Sequence, residues 1–474
     1  MLRFLSHERR SNGALSRREW LLLGGMAGLG FTLPGSKLAA SPSGNPGGFG
    51  KAKSVLLIYA SGGQSQIDTW DPKPEAPAEI RGEFRPIRTS EPGTLVCEHM
   101  PRVARLAKLY TILRSVSHED TDHGSATYLA LTGQYHAQKS ANPPPRSTDL
   151  PTYGAVLKRV RPAERFPHTA VHLNGPVLAP EIPAPGQFAG FLAGGCEPLL
   201  LGDVREAAES LRALEPRPEL PAVRLESRRT LLQSIETQVG RWQHDKTLLE
   251  KDVFYRQAYQ FLSAPRCRSA FDLAQEPERV RDRYGRHRSG QACLLARRLV
   301  EAGVPLVTVF LNHTIRGQDK APDQPDMYGW DTHNDIFSAL KDHLLPTFDE
   351  SFSALLEDLH QRGLLDTTLV VCMGEFGRAP RVALEPTFAG SSPGRKHWSA
   401  VYSVVLAGAG VTKGAVVGAS DRHGAYPQTT PVGPWDIAAT IFAALGIDPA
   451  GHYEDLAAQP FPVTRGKPIR EIYM

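Results

Sequence analysis

The sequence predicts an α/β fold in which a mostly parallel sheet is covered by helices on both faces. Short, unbroken apolar runs are the first reason: SVLLIYA (Ser54–Ala60), TAVHLNG (Thr169–Gly175), PLVTVFLN (Pro305–Asn312), TLVVCMG (Thr368–Gly374) and VYSVVLAGAG (Val401–Gly410). A strand with one face in water alternates apolar and polar residues, whereas unbroken runs mark strands buried on both faces. Amphipathic segments between these runs are the second reason. SGQACLLARRLVEAG (Ser289–Gly303) reads as a helix stopped by Gly303 and leading straight into the Pro305–Asn312 strand. FDESFSALLEDLHQRG repeats the arrangement, with Phe348, Phe352, Leu355 and Leu359 on one face and Gly363 at its end. A further amphipathic helix, or two with a break near His244, is expected between Arg224 and Leu262, where Leu231, Ile235, Val239 and Trp242 recur at helical spacing.

A chain of 474 residues with 41% hydrophobic residues can build a large core, so disorder is not expected. The net charge is only +4 and its basic residues are dispersed, which argues against a nucleic-acid partner. Residues 1–42 read as an export segment: Arg17 and Arg18 precede an apolar, glycine-rich run and then small residues around Ala39 to Ser43. The pair in SRREWL resembles the twin-arginine signal, which predicts a periplasmic or cell-envelope location. The alternative is an uncleaved anchor, so any membrane contact is expected through this segment alone. Residues 43–53 then form a linker, and 54–474 one α/β domain with proline-rich surface insertions such as SANPPPRSTDLP. Five widely spaced cysteines, none in a CxxC pattern, leave at least one thiol unpaired within the chain and offer no cysteine metal site.

In an open parallel sheet, ligands bind beyond the carboxyl ends of the strands. The residues found just past the runs are therefore candidates. Gly62, Gly63, Gln64, Ser65, Asp68 and Asp71 follow the first, and His313 and then Asp331, His333 and Asp335 of GWDTHND follow the third. Glu375 and Arg378 follow the fourth, and Lys396 and His397 stand just before the fifth. The segment SHEDTDHGSATYLALTG adds His118, Glu119, Asp120, Asp122 and His123 within six residues. Neutral imidazole and ionised carboxylate both donate lone pairs, so this constellation suits a divalent cation such as zinc, calcium or manganese. Taken singly each residue has a plainer role: Asp331 as a cap of a helix starting at Thr332 or His333, Glu375 as a turn acceptor, His397 as a surface histidine. The Gly62-Gly63 pair lacks the patterns of a nucleotide-binding loop.

FDESFSALLEDLHQRGLLDTTLVVCMGEFG and PWDIAATIFAALGIDP resemble sulfatases of the alkaline phosphatase superfamily, as does the ending GKPIREIY. GGQSQIDTWDPKP, HEDTDHGSATYLALTG, ARRLVEAGVPLVTVF, WDTHND and GEFGRAPR together resemble a bacterial, planctomycete-type family of sulfatase-like proteins, domain of unknown function 1501. The resemblance implies an alkaline-phosphatase-like three-layer sandwich. It also implies a site that departs from the sulfatase pattern. Where sulfatases have a metal-binding Asp-Asp after the first strand, this chain has Ser61-Gly62. The cysteine that becomes formylglycine falls on His123, with Thr121 and Ser125 nearby, and the later Asp-Asn or Asp-His becomes Glu375-Phe376. His397 matches the last basic residue of that site.

A formylglycine sulfatase is therefore not expected. One expected function is a metal-dependent hydrolase of sulfate or phosphate esters, acting on a small molecule or polysaccharide. His118, Asp122, His123, Asp331, His333, Glu375 and His397 are its expected metal ligands. His123, Ser125, Lys396 and Arg378 are its expected catalytic residues, the two cations neutralising a developing oxyanion. The alternative is a non-catalytic scaffold that binds a sulfated polysaccharide or a protein partner.

Overall fold

A computed structural model describes residues 48–206, 265–316, 318–319 and 323–474, together with Ser227, Thr230, Leu231 and Ser234. The 1–42 segment lies outside the described residues, as does the helix expected between Arg224 and Leu262 except for those four helical positions. Among the described residues, no helix is long and apolar enough to cross a membrane.

All five apolar runs are strands of one eight-stranded sheet. In chain order its strands are β1 (Ser54–Tyr59), β2 (Tyr110–Val116), β3 (Ala170–Leu173), β4 (Leu199–Leu201), β5 (Leu306–Phe310), β6 (Thr368–Met373), β7 (Tyr402–Ala407) and β8 (Val416–Val417). They lie in the order β8-β2-β7-β6-β1-β5-β3-β4. Only β7 runs against the others, antiparallel to both β6 and β2, while the remaining neighbours pair in parallel. The site depends on this reversal, because the residues leading into β7 arrive at the edge where its parallel neighbours end.

Alternate residues of β1 feed two separate cores. Leu56 and Ile58 pack into one and Val55, Leu57 and Tyr59 into the other, each essentially without exposed surface. The first core is closed by α3 (Arg288–Glu301) and α4 (Leu345–Gln361), with Leu295 and Leu299 from α3 and Phe348, Phe352, Leu355 and Leu359 from α4. The second is closed by α1 (His123–Thr132), α2 (Tyr153–Val160) and α5 (Pro434–Ala444). Each fully buried aliphatic or aromatic side chain contributes about 1.5–3 kcal/mol. Helix–sheet–helix layering follows because neither face of the sheet can be left in water.

Sequence reading misses β2, the strand YTILRSV, because Thr111, Arg114 and Ser115 interrupt its apolar run. The structure satisfies the arginine locally: its guanidinium donates to the carbonyls of Trp70 and Leu95 and lies 3.3 Å from Asp71.

Candidate metal centre

Five chain segments meet at the carboxyl edge of β1. Past β1 the backbone turns through Gly62 with φ +111°, and a Cβ placed there would lie 2.4 Å from the Asp331 amide nitrogen. Only glycine lets the loop carrying Asp331 approach so closely. That loop descends from β5 and is tied back by Asn312 Nδ2 and the Trp330 amide, both donating to the Ser61 carbonyl at 2.8 and 3.0 Å. Beyond β6, Glu375 is fully buried, and Gly377–Arg378 then forms a short antiparallel ribbon with His397–Trp398. That ribbon delivers His397 on the way into β7. The fifth segment follows β2 and opens α1 with His123.

Asp331 Oδ1 is the centre of the arrangement. His333 Nε2 lies 3.1 Å from it, and His123 Nε2 and His397 Nε2 each lie 3.3 Å from it. The Nε2 atoms of His333 and His397 are themselves 2.9 Å apart. Ligand atoms from His123, Asp331 and His397 all fall within 4.8 Å of one another, the spacing of groups able to hold one metal ion.

The other ring nitrogens fix the tautomers. His123 Nδ1 is 2.6 Å from Glu375 Oε1, and His397 Nδ1 is 2.7 Å from the Thr121 carbonyl. Both partners accept hydrogen bonds, so in the neutral rings the proton sits on Nδ1 and the Nε2 lone pair faces the centre. His333 also turns its Nε2 to the centre, but its Nδ1 has no partner to fix the tautomer; its ring is stacked on Phe388 with centroids 3.7 Å apart.

Burial and charge oppose each other here. Burial pushes His397 down to about 4, reinforced by His123, and it lowers His333 too. It would also lower His123, but Asp331 and Glu375 outweigh it and bring that ring up to about 9. Burial raises Asp331, yet Arg378 and His123 together hold it well below the usual carboxylate range.

Of the remaining expected residues, Arg378 reaches the central oxygen itself and the others lie around the cluster. Glu375 Oε1 accepts from His123 Nδ1 and from the Gly62 amide at 2.7 Å, so this oxygen stands behind a histidine, while Oε2 is buried without a hydrogen-bond partner. Arg378 is fully buried, 2.7 Å from Asp331 Oδ1, and held by the carbonyls of Gly62 and Gly63. His118 is committed to the Glu375 carbonyl and the Asp120 amide. Asp122 occupies the cap position of α1 and accepts from Asn142, and Ser125 donates to Asp120. Lys396 points outward, its side chain 61% exposed and paired with Glu385. Asp331 caps no helix: the next helix starts at Ile336, behind Asp335. Asp68 and Asp71 are likewise spent, on Arg395 and on Arg114 and Lys73.

Three contributors escape sequence reading. The Thr121 carbonyl carries no residue signature, Phe388 reaches His333 across a long loop, and Arg316 donates to the Asp331 carbonyl while its guanidinium lies 4.9 Å from the Phe388 ring.

A family model described as "Protein of unknown function (DUF1501)" matches residues 52–473. The chain belongs to the DUF1501 family. No curated protein matches it. Among solved structures, this DUF1501 protein is similar to a phosphonate monoester hydrolase from Silicibacter pomeroyi, at 14% identity over 89% of this chain and 76% of the other, with a TM-score of 0.38. It is also similar to the PsFucS1 sulfatase from Pseudoalteromonas sp., at 14% identity over 83% and 68% of the two chains and a TM-score of 0.36. A third is a TAB5 alkaline phosphatase mutant with Mg bound, at 13% identity over 78% and 94% and a TM-score of 0.35.

Proposed function

We propose that this chain is an exported, metal-dependent hydrolase of sulfate or phosphate esters, carried by small molecules or polysaccharides. The observation that carries the reading is the convergence of three imidazole Nε2 atoms on one oxygen of Asp331. With their protons held on Nδ1, the His123 and His397 lone pairs face an anionic oxygen at 3.3 Å. In that neutral form the two lone pairs and the carboxylate make a donor set for a divalent cation, which would share the Asp331 oxygen with Arg378 at 2.7 Å. Three imidazoles and one carboxylate suit zinc or a similar borderline ion better than calcium, which prefers an all-oxygen shell. When bound, such an ion polarises an ester oxygen and lowers the pKa of a coordinated water.

The chain's own residues do the rest. Glu375 and the Thr121 carbonyl keep His123 and His397 in the ligating tautomer, the arrangement by which outer residues raise ligand affinity. Arg378 offsets the charge of Asp331, so that a divalent ion leaves the centre cationic and favourable to an anionic ester. His397 is the most open ligand, with 21% of its side chain exposed, and substrate is expected to approach over it. Export rests on the Arg17-Arg18 segment.

A second reading rests on Arg378 itself. With Arg378 and a protonated His123 facing Asp331 and Glu375, the cluster is electrically balanced without any metal. The protein would then be a scaffold that binds its ligand without turnover.

Elemental analysis of the natively exported protein, combined with turnover of aryl sulfates and aryl phosphates, separates the two. About one zinc-type ion per chain, lost together with turnover in His397→Ala, is the expected result. A metal-free, folded protein without turnover would overturn the hydrolase reading and leave the scaffold.

A further inference from the structure

The loop that follows β1, GGQSQID (Gly62–Asp68), stands at the edge where ligands are expected, yet it adds no side chain to the His123–Asp331–His397 cluster. Gln66 and Asp68 are instead spent on the ribbon that carries Arg378 and His397.

Gln66 is buried and holds both main-chain groups of Arg378. Its Oε1 accepts from the Arg378 amide at 3.0 Å, and its Nε2 donates to the Arg378 carbonyl at 2.9 Å. The same Nε2 donates to the Gly424 carbonyl at 3.0 Å. Arg378 pairs with His397 across the ribbon, so the carboxamide stands where a third strand would. The fit is close, since a Cβ on Gly377 would fall 2.3 Å from Gln66 Oε1. Held in this way, Arg378 reaches Asp331 Oδ1 at 2.7 Å.

Asp68 grips the other strand through Arg395, two residues before His397. Neither side chain has exposed surface, and the pair is bidentate: Oδ2 accepts from Nε at 2.7 Å and Oδ1 from Nη2 at 3.0 Å. Nη2 also donates to the Ile80 carbonyl at 2.8 Å, and Nη1 to the carbonyls of Ala379 and Pro380. Both ions lose their water, so a pair of this kind is a weak source of net stability. What it supplies is direction. With every nitrogen of the guanidinium engaged, the chain entering His397 has one course.

We propose that Gln66 and Asp68 are positioning residues of the metal centre, holding the ribbon so that His397 Nε2 and the Arg378 guanidinium meet on one oxygen of Asp331. The consequence for metal affinity rests on the hydrolase reading, whereas the placing of His397 does not.

The test is carbethoxylation of the chelator-treated full chain by diethyl pyrocarbonate, with each histidine followed by peptide mass spectrometry. The reagent attacks an imidazole lone pair, and His397, with 21% of its side chain exposed, is the open member of the cluster. His172, buried in β3, reports global unfolding. In Gln66→Met and in Asp68→Asn, His397 is expected to react about tenfold faster, the value of one released hydrogen bond, with His172 still protected. Ser65→Ala removes only the hydroxyl bonded to Asp68 and gives the same change at smaller size, should either buried variant fail to fold. A loss of general stability alone would raise both histidines together. Zinc affinity, measured by competition with a chromophoric chelator, is expected to fall about 10–100-fold in Gln66→Met and Asp68→Asn. Positioning is overturned if His397 reacts no faster than in the parent chain, if it speeds up only in step with His172, or if a zinc-binding chain keeps its affinity in all three variants. A parent chain that binds no zinc removes the hydrolase reading alone, and the reactivity of His397 relative to His172 then decides whether Gln66 and Asp68 position it.

Discussion

His123 Nδ1 stands 2.6 Å from Glu375 Oε1, although 252 positions separate the two residues in the chain. The same oxygen accepts from the Gly62 amide, so the carboxylate is held from behind while it holds the ring in front. Glu375→Gln keeps the shape but replaces a charged acceptor by an amide. On the hydrolase reading, metal affinity is expected to fall about 10–100-fold, the usual penalty for losing an outer carboxylate. Competition titration against a chromophoric chelator measures it, and unchanged affinity would remove Glu375 from the metal's support.

Arg378 faces the same centre from within the protein. Replacing it by methionine leaves Asp331 without its guanidinium partner, and breaking a buried pair in this way costs about 3–5 kcal/mol. A divalent ion would supply the missing charge. Arg378→Met is therefore expected to be strongly destabilised after chelation and substantially rescued by added zinc, as read from thermal melts. Equal melting temperatures with and without zinc would favour the electrically balanced, metal-free cluster.

Gly62 tests the backbone side of the site. Its φ of +111° is costly for any residue with a Cβ, about 1–3 kcal/mol, and the added atom would meet the Asp331 amide. Gly62→Ala is expected to lower stability by at least that amount in urea unfolding and to reduce metal occupancy by displacing Asp331. A stable variant with full occupancy would show that the loop has room to shift.

His172, in the middle of β3, gives a pH prediction away from the site. Burial drives this ring down to about 3, and neither nitrogen has a hydrogen-bond partner. Its folded value lies below the ordinary 6.5, so the unfolded chain takes up the proton first. Its contribution is fully present above pH 6.5 and is lost as the pH falls toward 3, at up to about 1.4 kcal/mol per pH unit. His172→Leu is expected to flatten that acid limb and to leave stability at pH 7 equal or higher, since an unsatisfied buried polar ring is removed. Denaturant melts at a series of pH values follow both effects; an unchanged acid slope would assign the acid sensitivity to other groups.

The sequence by itself determined the layers of this protein and most of the centre's ingredients. Strands buried on both faces must be written as unbroken apolar runs, so β1, β3, β5, β6 and β7 are legible. His123, Asp331, His333 and His397 stand out because ligand-type residues crowd the ends of those runs. The direction of β7 was decided only by the tertiary structure, because a short run carries no mark of which way its chain travels. That direction brings His397 to within 2.9 Å of His333, 64 positions away. The neighbours of Glu375, Ser125, Asp122 and Lys396 were likewise visible only in the tertiary structure. A carboxylate or hydroxyl reads identically whether it faces a metal, a histidine, a helix end or water, and only distances across the fold separate these cases.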